Sequence, residues 1–503
     1  MTIIIHVIIL NNLTSTNQSS NLDRKPLPVS FLTKVSQIPN CAISRSETEL
    51  YRHGKGESYH PSVPPQIVLS PSSIEAVSSI VTLCVNYNVN IIPFGAGTSL
   101  EGHVAALDGG VCIDLMGLNK IEIMDDQQHQ PSMDFCVKCG PGVTRKQLNQ
   151  ALRHTGMQFM VDPGADASIG GMVSTRASGT TTVQYGTMRD NILALEAIFP
   201  TSKDGEVVKL GSLARKSSAG YDLVGLLCGS EGTLGIITSI TLKLHPIPAS
   251  TSSAVCSFDD IHNAANAVSA LQQMGILPTR CELLDSTSIH AFIQYSKTKK
   301  QFQNGNNIKM PVKPHLFLEF SGPSDVFVRE QVSLAQSLLT EDFQAIDFEV
   351  TSDETLRNQL WAARHELYYA SLALRPGSNG AIISDVCVPF SQLSQIFAET
   401  VKDVEESNII GPCFGHAGDG NFHCILPTIE DDSPEYMEKL LGVNERIVER
   451  AIAVGGTCTG EHGIGYGKIK YLNLQYGDGT LDIMRQIKKA LDPKNIMNPG
   501  KIV

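Results

Sequence analysis

The chain has 503 residues and a formal net charge of −12 at pH 7. Hydrophobic residues make up 42% and charged residues 18%, enough apolar matter for well-formed cores and too rich for a disordered chain. The acidic balance, with no basic run beyond Lys299-Lys300, argues against a nucleic-acid partner; no apolar run reaches the ~18–20 residues of a membrane span, and 12 scattered cysteines are too few for a disulfide scaffold.

Residues 1–45 carry Arg24, Lys25, Lys34 and Arg45 against one acid, Asp23, among many hydroxyl residues, a balance that suits a mitochondrial presequence or a plain N-terminal extension. The apolar stretch 3–10 is too short to span a membrane and lacks a positive leader. Secondary-structure signals begin near residue 65. Gln66-Ile67-Val68-Leu69 reads as a strand, and Ile74, Val77, Ile80, Val81 and Val85 then recur at helical spacing. A buried strand over 89–93 runs into a glycine-rich loop, and residues 111–124 predict two more strands. Cys136 and Cys139 form a lone CxxC inside an alternating, strand-like stretch; without a second CxxC no zinc site is expected there. A helix over 143–155 and a strand-rich stretch over 190–245 complete a first αβ domain, 46–248. Residues 249–253 (Ala-Ser-Thr-Ser-Ser) predict a linker. A second αβ region, 249–455, follows, with a helix at 260–274, a strand at 315–320, one long helix over 353–374, a strand at 381–388 and helices at 391–406 and 433–454. A C-terminal segment, 456–503, holds a last helix at 478–491.

The 42 glycines are concentrated: residues 95–186 hold 14 and residues 411–479 hold 13. In the first cluster Pro93-Phe94-Gly95-Ala96-Gly97-Thr98-Ser99-Leu100-Glu101-Gly102 follows a buried strand. Converging backbone N–H groups and two hydroxyls suit an anion such as a pyrophosphate. The third glycine falls too late for a nicotinamide fingerprint and no P-loop lysine is present. A second small-residue loop runs through Pro163, Gly164, Ala167, Ser168, Gly170 and Gly171, continued by Gly179 and by Tyr185-Gly186-Thr187-Met188-Arg189. A third contains Glu231 and Gly232 before Ile236. Three such loops imply an extended ligand, with a flat ring and a diphosphate wrapped by backbone.

In the second cluster, Gly415-His416-Ala417-Gly418-Asp419-Gly420-Asn421-Phe422-His423 holds two histidines on either side of an expected turn, so that both imidazoles can converge; the alternative is two hydrogen-bonded loop histidines. Glu461 and His462 lie in Gly460-Glu461-His462-Gly463-Ile464-Gly465. As neighbours they normally point apart. His416, His423 and Glu461 make a His₂Glu set suited to an open divalent site, and three such ligands do not choose among zinc, manganese and iron. His462 is left as a general base for a hydroxyl proton. Arg364 is the first candidate for a substrate carboxylate and Arg375 the second; either can instead be a surface ion-pair arginine.

Residues 62–248, on Pro93 to Gly102, Asp162 to Gly171, Tyr185 to Asn191 and Gly229 to Thr238, resemble the FAD-binding domain of the vanillyl-alcohol oxidase type, the PCMH fold. The region from Glu49 to Val503 resembles the mitochondrial cytochrome-type D-lactate dehydrogenases. The words that carry this include Gly418-Asp419-Gly420-Asn421-Phe422-His423-Cys424, Gly456 to Gly465 and Met497-Asn498-Pro499-Gly500-Lys501. The resemblance implies an α+β fold, with a PCMH-type domain of two subdomains, an α+β cap, and a C-terminal segment returning to the flavin. It implies noncovalent FAD on the glycine loops, a flavin contact from Asn498, metal ligation by His416, His423 and Glu461 with zinc or manganese as the metal, and catalysis by His462. His103, near the first loop, is expected to be a solvated loop histidine with no flavin linkage. The sister family acting on D-2-hydroxyglutarate carries polar residues at the positions that the resemblance matches to Tyr368, Ile383 and Ile425 here, and an apolar lining disfavours a second carboxylate. The expected substrate is therefore D-lactate. Alternatives are D-2-hydroxyglutarate, glycolate or longer D-2-hydroxy acids, or a non-catalytic flavin-binding protein. Cytochrome c or an electron-transfer flavoprotein is the expected acceptor, the mitochondrion the expected location, and a homodimer a further expectation.

Overall fold

The computed structural model describes residues 24–123, 135–299 and 310–503. The stretch 3–10, the expected presequence up to Asp23 and Lys300 lie outside them. Elements begin earlier than the expected residue 65. Helix Val29–Val35 buries Phe31 and Val35 against the first core, and strand Cys41–Ser44 pairs antiparallel with Ile67–Pro71. A seven-residue helix with two apolar anchors is too short to show a period.

Strands Ile67–Pro71, Val111–Asp114 and Ile91–Phe94 are parallel and complete a four-stranded sheet. Helix Ile74–Tyr87 covers it. It starts where the Ser73 side chain accepts from Ala76 N–H, buries Val77, Ile80 and Val81, and stops at Asn88 in the left-handed region. The chain's end returns here: Ile91 N–H donates to Ile496 O at 2.7 Å, and Asn498 N–H to Ile91 O at 2.8 Å. A second, antiparallel sheet runs Ile121–Ile123, Cys136–Cys139, Ile236–Lys243, Ile192–Ile198, Val208–Gly211. The CxxC is a strand as expected, and no disulfide joins the described cysteines.

The third sheet has eight strands. The expected linker 249–253 is a correction: Ser250–Ser257 is an inner strand of this sheet, paired with His315–Gly322 on one side and Ile346–Thr351 on the other. Its run of hydroxyls reads as loop, but burial is satisfied across the sheet, where Trp361 Nε1–H donates to Ser253 Oγ at 3.1 Å. The long helix expected over 353–374 breaks at Glu366 into Glu354–His365 and Leu367–Ala373. The strand expected over 381–388 breaks at Ser384-Asp385 into Gly380–Ile383 and Val386–Cys387. The last helix begins at Ile469 rather than 478, with Gly477 at φ 73° interrupting it.

Strand periodicity sorts side chains between the two faces of this sheet. Phe422, Cys424 and Leu426 enter the large core under helices Ile261–Gln273, Phe390–Glu406 and Pro434–Ala453. Ile425 joins Phe414, Trp361 and Ala363 on the opposite face, and alternation puts His423 there too. That face meets the glycine loops.

Candidate functional site

Strand Ile91–Phe94 delivers its carboxyl end into the Gly95–Ser99 loop, where parallel sheets characteristically open a crevice. Gly95 is pressed so close to the second loop that a Cβ would lie 2.2 Å from Ser168 Oγ. Ser168 is committed there: its Oγ accepts from Gly171 N–H at 3.3 Å and caps helix Ile169–Thr175. A single cavity of about 350 Å³ runs along these loops to the cap domain. Pro93, Gly95, Ala96, Gly97, Thr98, Ser99, Pro163, Gly164, Ala167, Ser168, Gly170, Gly171, Glu231, Gly232, Ile236 and Asn498 line its near wall. Arg364, Tyr368, Ile383, Phe414, His416, His423, Ile425, Glu461 and His462 line the far one.

Five expected cofactor residues do not line it. Gly102 backs onto the Tyr466 ring, 2.1 Å from where its Cβ would be, and Gly179 onto the carbonyl of Asp162 at 2.2 Å. Tyr185 packs edge-on against His245, Gly186 turns at φ 75° against Asp190, and Arg189 pairs with Asp222 near the surface. They shape the loops from behind. Arg375 is also corrected. It pairs with Asp432, donates to Pro427 O at 2.8 Å and lies under Tyr436, away from the cavity. His103 is buried rather than solvated, with Nε2 3.2 Å from Glu231 Oε2. Neither of its ring nitrogens has a hydrogen-bond partner among the described residues, nor does Ser99 Oγ. Orphaned polar atoms on a glycine-lined wall fit an extended polar cofactor such as FAD. Asn498 lines the cavity, but its amide is engaged by protein: Nδ2 donates to His103 O and Glu231 O, and Lys501 Nζ donates to Oδ1.

On the far wall, His416 follows strand Cys413–Gly415 and His423 lies on strand Asn421–Thr428, with a turn at 417–419 between them. Glu461 Oε1 lies 3.4 Å from His416 Nε2 and 3.2 Å from His423 Nε2. Donors about 2.0–2.2 Å from one cation stand roughly this far apart. The tautomers agree. His416 Nδ1 faces Glu282 Oε1 at 2.6 Å and His423 Nδ1 faces Ser384 O at 3.2 Å, so in the neutral, metal-ligating form each ring would turn the Nε2 lone pair inward. Burial alone would lower the His416 pKa, but Glu282 and Glu461 outweigh it and hold it well above the ordinary value. Surroundings that attract a proton so strongly also suit a divalent cation. The donor set fits a metal. Ser178 Oγ, from the glycine-loop side, donates to Glu461 Oε2 at 2.9 Å.

Two carboxylates had no sequence signal beyond being acids in apolar strings. Glu282, fully buried in strand Arg280–Leu284, bridges His416 and Arg364, whose Nε donates to it at 2.6 Å. Burial raises its pKa, but the two cations outweigh this and bring it down to about 2. Asp385 sits behind His462. Burial would raise its pKa, yet the positive charge around it, that of Lys468 included, holds it well below the carboxylate range. The His462 ring stacks on His423, centroids 4.9 Å apart and 13° from parallel. Burial pushes its pKa below the usual value, against the pull of Asp385, and favours the neutral ring.

Two family models match the chain: an FAD binding domain over residues 65–211, and the C-terminal domain of FAD linked oxidases over residues 247–502. A protein named probable D-lactate dehydrogenase, mitochondrial, from Danio rerio is 45% identical over 452 residues, 90% of this chain and 87% of that protein. One named D-lactate dehydrogenase [cytochrome], mitochondrial, from Arabidopsis thaliana is 40% identical over 482 residues, 95% of this chain and 81% of that protein. Among solved structures, p-cresol methylhydroxylase is similar at a TM-score of 0.74 and 16% identity, covering 95% of this chain and 98% of that one. At that identity the likeness shows the fold, an α+β architecture of the vanillyl-alcohol oxidase type.

Proposed function

We propose, from the premise that the chain belongs to the FAD linked oxidases, that it is a mitochondrial, FAD- and divalent-metal-dependent dehydrogenase converting D-lactate to pyruvate. One observation carries the reading: His416, His423, Glu461, His462 and Arg364 line the same cavity as the glycine loops. When bound, FAD on those loops supplies the acceptor for the C2 hydride, and a metal on His416, His423 and Glu461 supplies Lewis acidity toward the substrate oxygens.

The chain's own residues do the rest. Arg364 binds the substrate carboxylate. Its Nε is held by Glu282 and its guanidinium lies 4.7 Å over the Phe414 ring, which fixes the fork and leaves the terminal nitrogens for the ligand. His462, kept neutral by burial, takes the hydroxyl proton. Tyr368, Ile383 and Ile425 line the substrate end without offering a cation, so a second carboxylate would enter unpaired. Electrons then leave to cytochrome c or another carrier such as an electron-transfer flavoprotein.

The test is the visible spectrum of the holoprotein. Anaerobic D-lactate should bleach the flavin bands while L-lactate leaves them intact. In a panel of D-2-hydroxy acids with an artificial acceptor, D-lactate should exceed D-2-hydroxyglutarate in kcat/KM. Bands that persist through the whole panel overturn the enzyme in favour of a flavin-binding protein.

A further inference from the structure

Glu461 and His462 are consecutive, and consecutive side chains on extended backbone point to opposite sides. Here both reach one centre: Glu461 Oε1 lies 3.2 Å from His423 Nε2, the His462 ring stacks on His423, and His462 Nε2 lies 3.8 Å from Glu461 Oε1. The backbone must therefore curl, and something must hold the curl. A single oxygen does so. Asp385 Oδ2 accepts from Thr459 Oγ1 at 2.6 Å and from the backbone N–H groups of Gly460, Glu461 and His462 at 2.9 Å each. Three successive amides converging on one anion form a nest. We infer that Asp385 is the positioning residue of this centre: its carboxylate, seated in the amides of residues 460–462, sets where Glu461 and His462 stand relative to His423.

The other carboxylate oxygen ties the same loop to the histidine strand. Asn421 Nδ2 donates to Asp385 Oδ1 at 2.8 Å and to Val386 O at 2.9 Å. Asn421 and His423 are two residues apart on strand Asn421–Thr428 and so share a face. Gly460 is pressed against this amide, with room for no Cβ: one would lie 2.1 Å from Asn421 Nδ2. Asp385 is itself fixed, fully buried between the short strands Gly380–Ile383 and Val386–Cys387, both paired with the histidine strand. One carboxylate thus joins Asn421 before His423, the loop bearing Glu461 and His462, and the break between its two flanking strands. Asparagine cannot replace it. Whichever way the amide sits, its NH₂ faces either the three N–H groups of the nest or the Asn421 NH₂.

The inference rests on the proposed metal- and flavin-dependent dehydrogenase, and the experiment separates the two. Asp385→Asn and Thr459→Val holoproteins are compared with wild type for FAD per chain, metal affinity by titration with elemental analysis, kcat and KM for D-lactate, and the isotope effect of C2-deuterated D-lactate. In Asp385→Asn, FAD is retained, metal affinity falls about 10–100-fold and kcat about 10²-fold at little change in KM. The isotope effect increases, because misplaced groups make C–H cleavage limiting. Thr459→Val, which removes one of four donors without changing size, shows the same split at roughly 3–10-fold in kcat. If Asp385→Asn retains kcat and metal affinity within about twofold, or recovers fully when FAD is added, the inference is overturned. If Asp385→Asn does not fold, Thr459→Val decides, and wild-type kinetics and metal affinity there overturn it. If D-lactate fails to reduce even the wild-type flavin, the dehydrogenase reading fails, while the metal titration still decides the role of Asp385.

Discussion

The near and far walls of the cavity are built on different principles. The near wall is backbone. Gly95 against Ser168 and Gly232 against Pro93 are positions where a Cβ has no room, and their absent side chains create the surface, with Gly179 packed as closely on Asp162 behind it. The far wall is charge. Arg364, Glu282, His416, Glu461, His462 and Asp385 are buried or nearly so and are held by one another. The contrast implies that near-wall damage should be steric and should lose cofactor. Far-wall damage should be chemical and should spare cofactor.

The sharpest test on the far wall is His462→Ala. Removing a positioned base costs about 10²–10⁴-fold, so flavin reduction by D-lactate should fall by that factor while the FAD absorbance per chain stays normal. Stopped-flow bleaching at wild-type rate would break the contrast. Directly behind the near wall, Gly179→Ala puts a methyl 2.2 Å from the Asp162 carbonyl that backs the second loop. Overpacking of this kind costs about 1–3 kcal/mol, so the variant should release FAD and melt lower; full FAD content would show that the loop has slack. A smaller effect is expected at the substrate end. The Ile383→Lys, Ile425→Asn double variant supplies polar partners for a second carboxylate and should move the D-2-hydroxyglutarate to D-lactate ratio of kcat/KM upward by roughly 10–200-fold. An unchanged ratio would mean that these side chains do not meet the substrate's far end.

The smallest effect concerns the cost of buried charge on the cap side. Asp285 caps helix Ser286–Ser296, and burial pushes its pKa up to about 6, partly offset by hydrogen bonds from Ser288. Its folded pKa lies above the unfolded value of about 3.9, so the folded state binds the proton more tightly. The stability this contributes is full below pH ~4 and is lost as pH rises through ~6. Asp285→Asn keeps the cap and removes the titration. Its melting temperature relative to wild type should therefore rise between pH 4 and 7, and parallel pH profiles would show that this carboxyl does not titrate there.

Local spacing made much of this legible. Gly95, Gly97, Ser168, Gly170 and Gly171 line the cavity as their small-residue loops suggest, because close backbone approach requires small residues wherever the fold puts them. His416 and His423 converge because the glycines between them force a turn. Tyr185 and Arg189 belong to a motif near the loops, but being near in sequence did not put them on the cavity: Arg189 found Asp222 instead. The serine run at 249–253 looked like a linker because its burial depends on partners some 70 and 100 residues away, Ser321 and Ser352.

Sequence alone determined the residue types and the local turns: glycine where backbone must come close, histidines across a turn, an acid beside a histidine. These are short-range consequences of sterics and strand periodicity. Tertiary structure decided which charges meet. Glu282 reaches His416 across 134 residues, Ser178 reaches Glu461 across 283, and Asp385 draws in the loop 75 residues further on. Electrostatic partnership depends on distance in space and on exclusion of water, and neither is written in the spacing of residues along the chain.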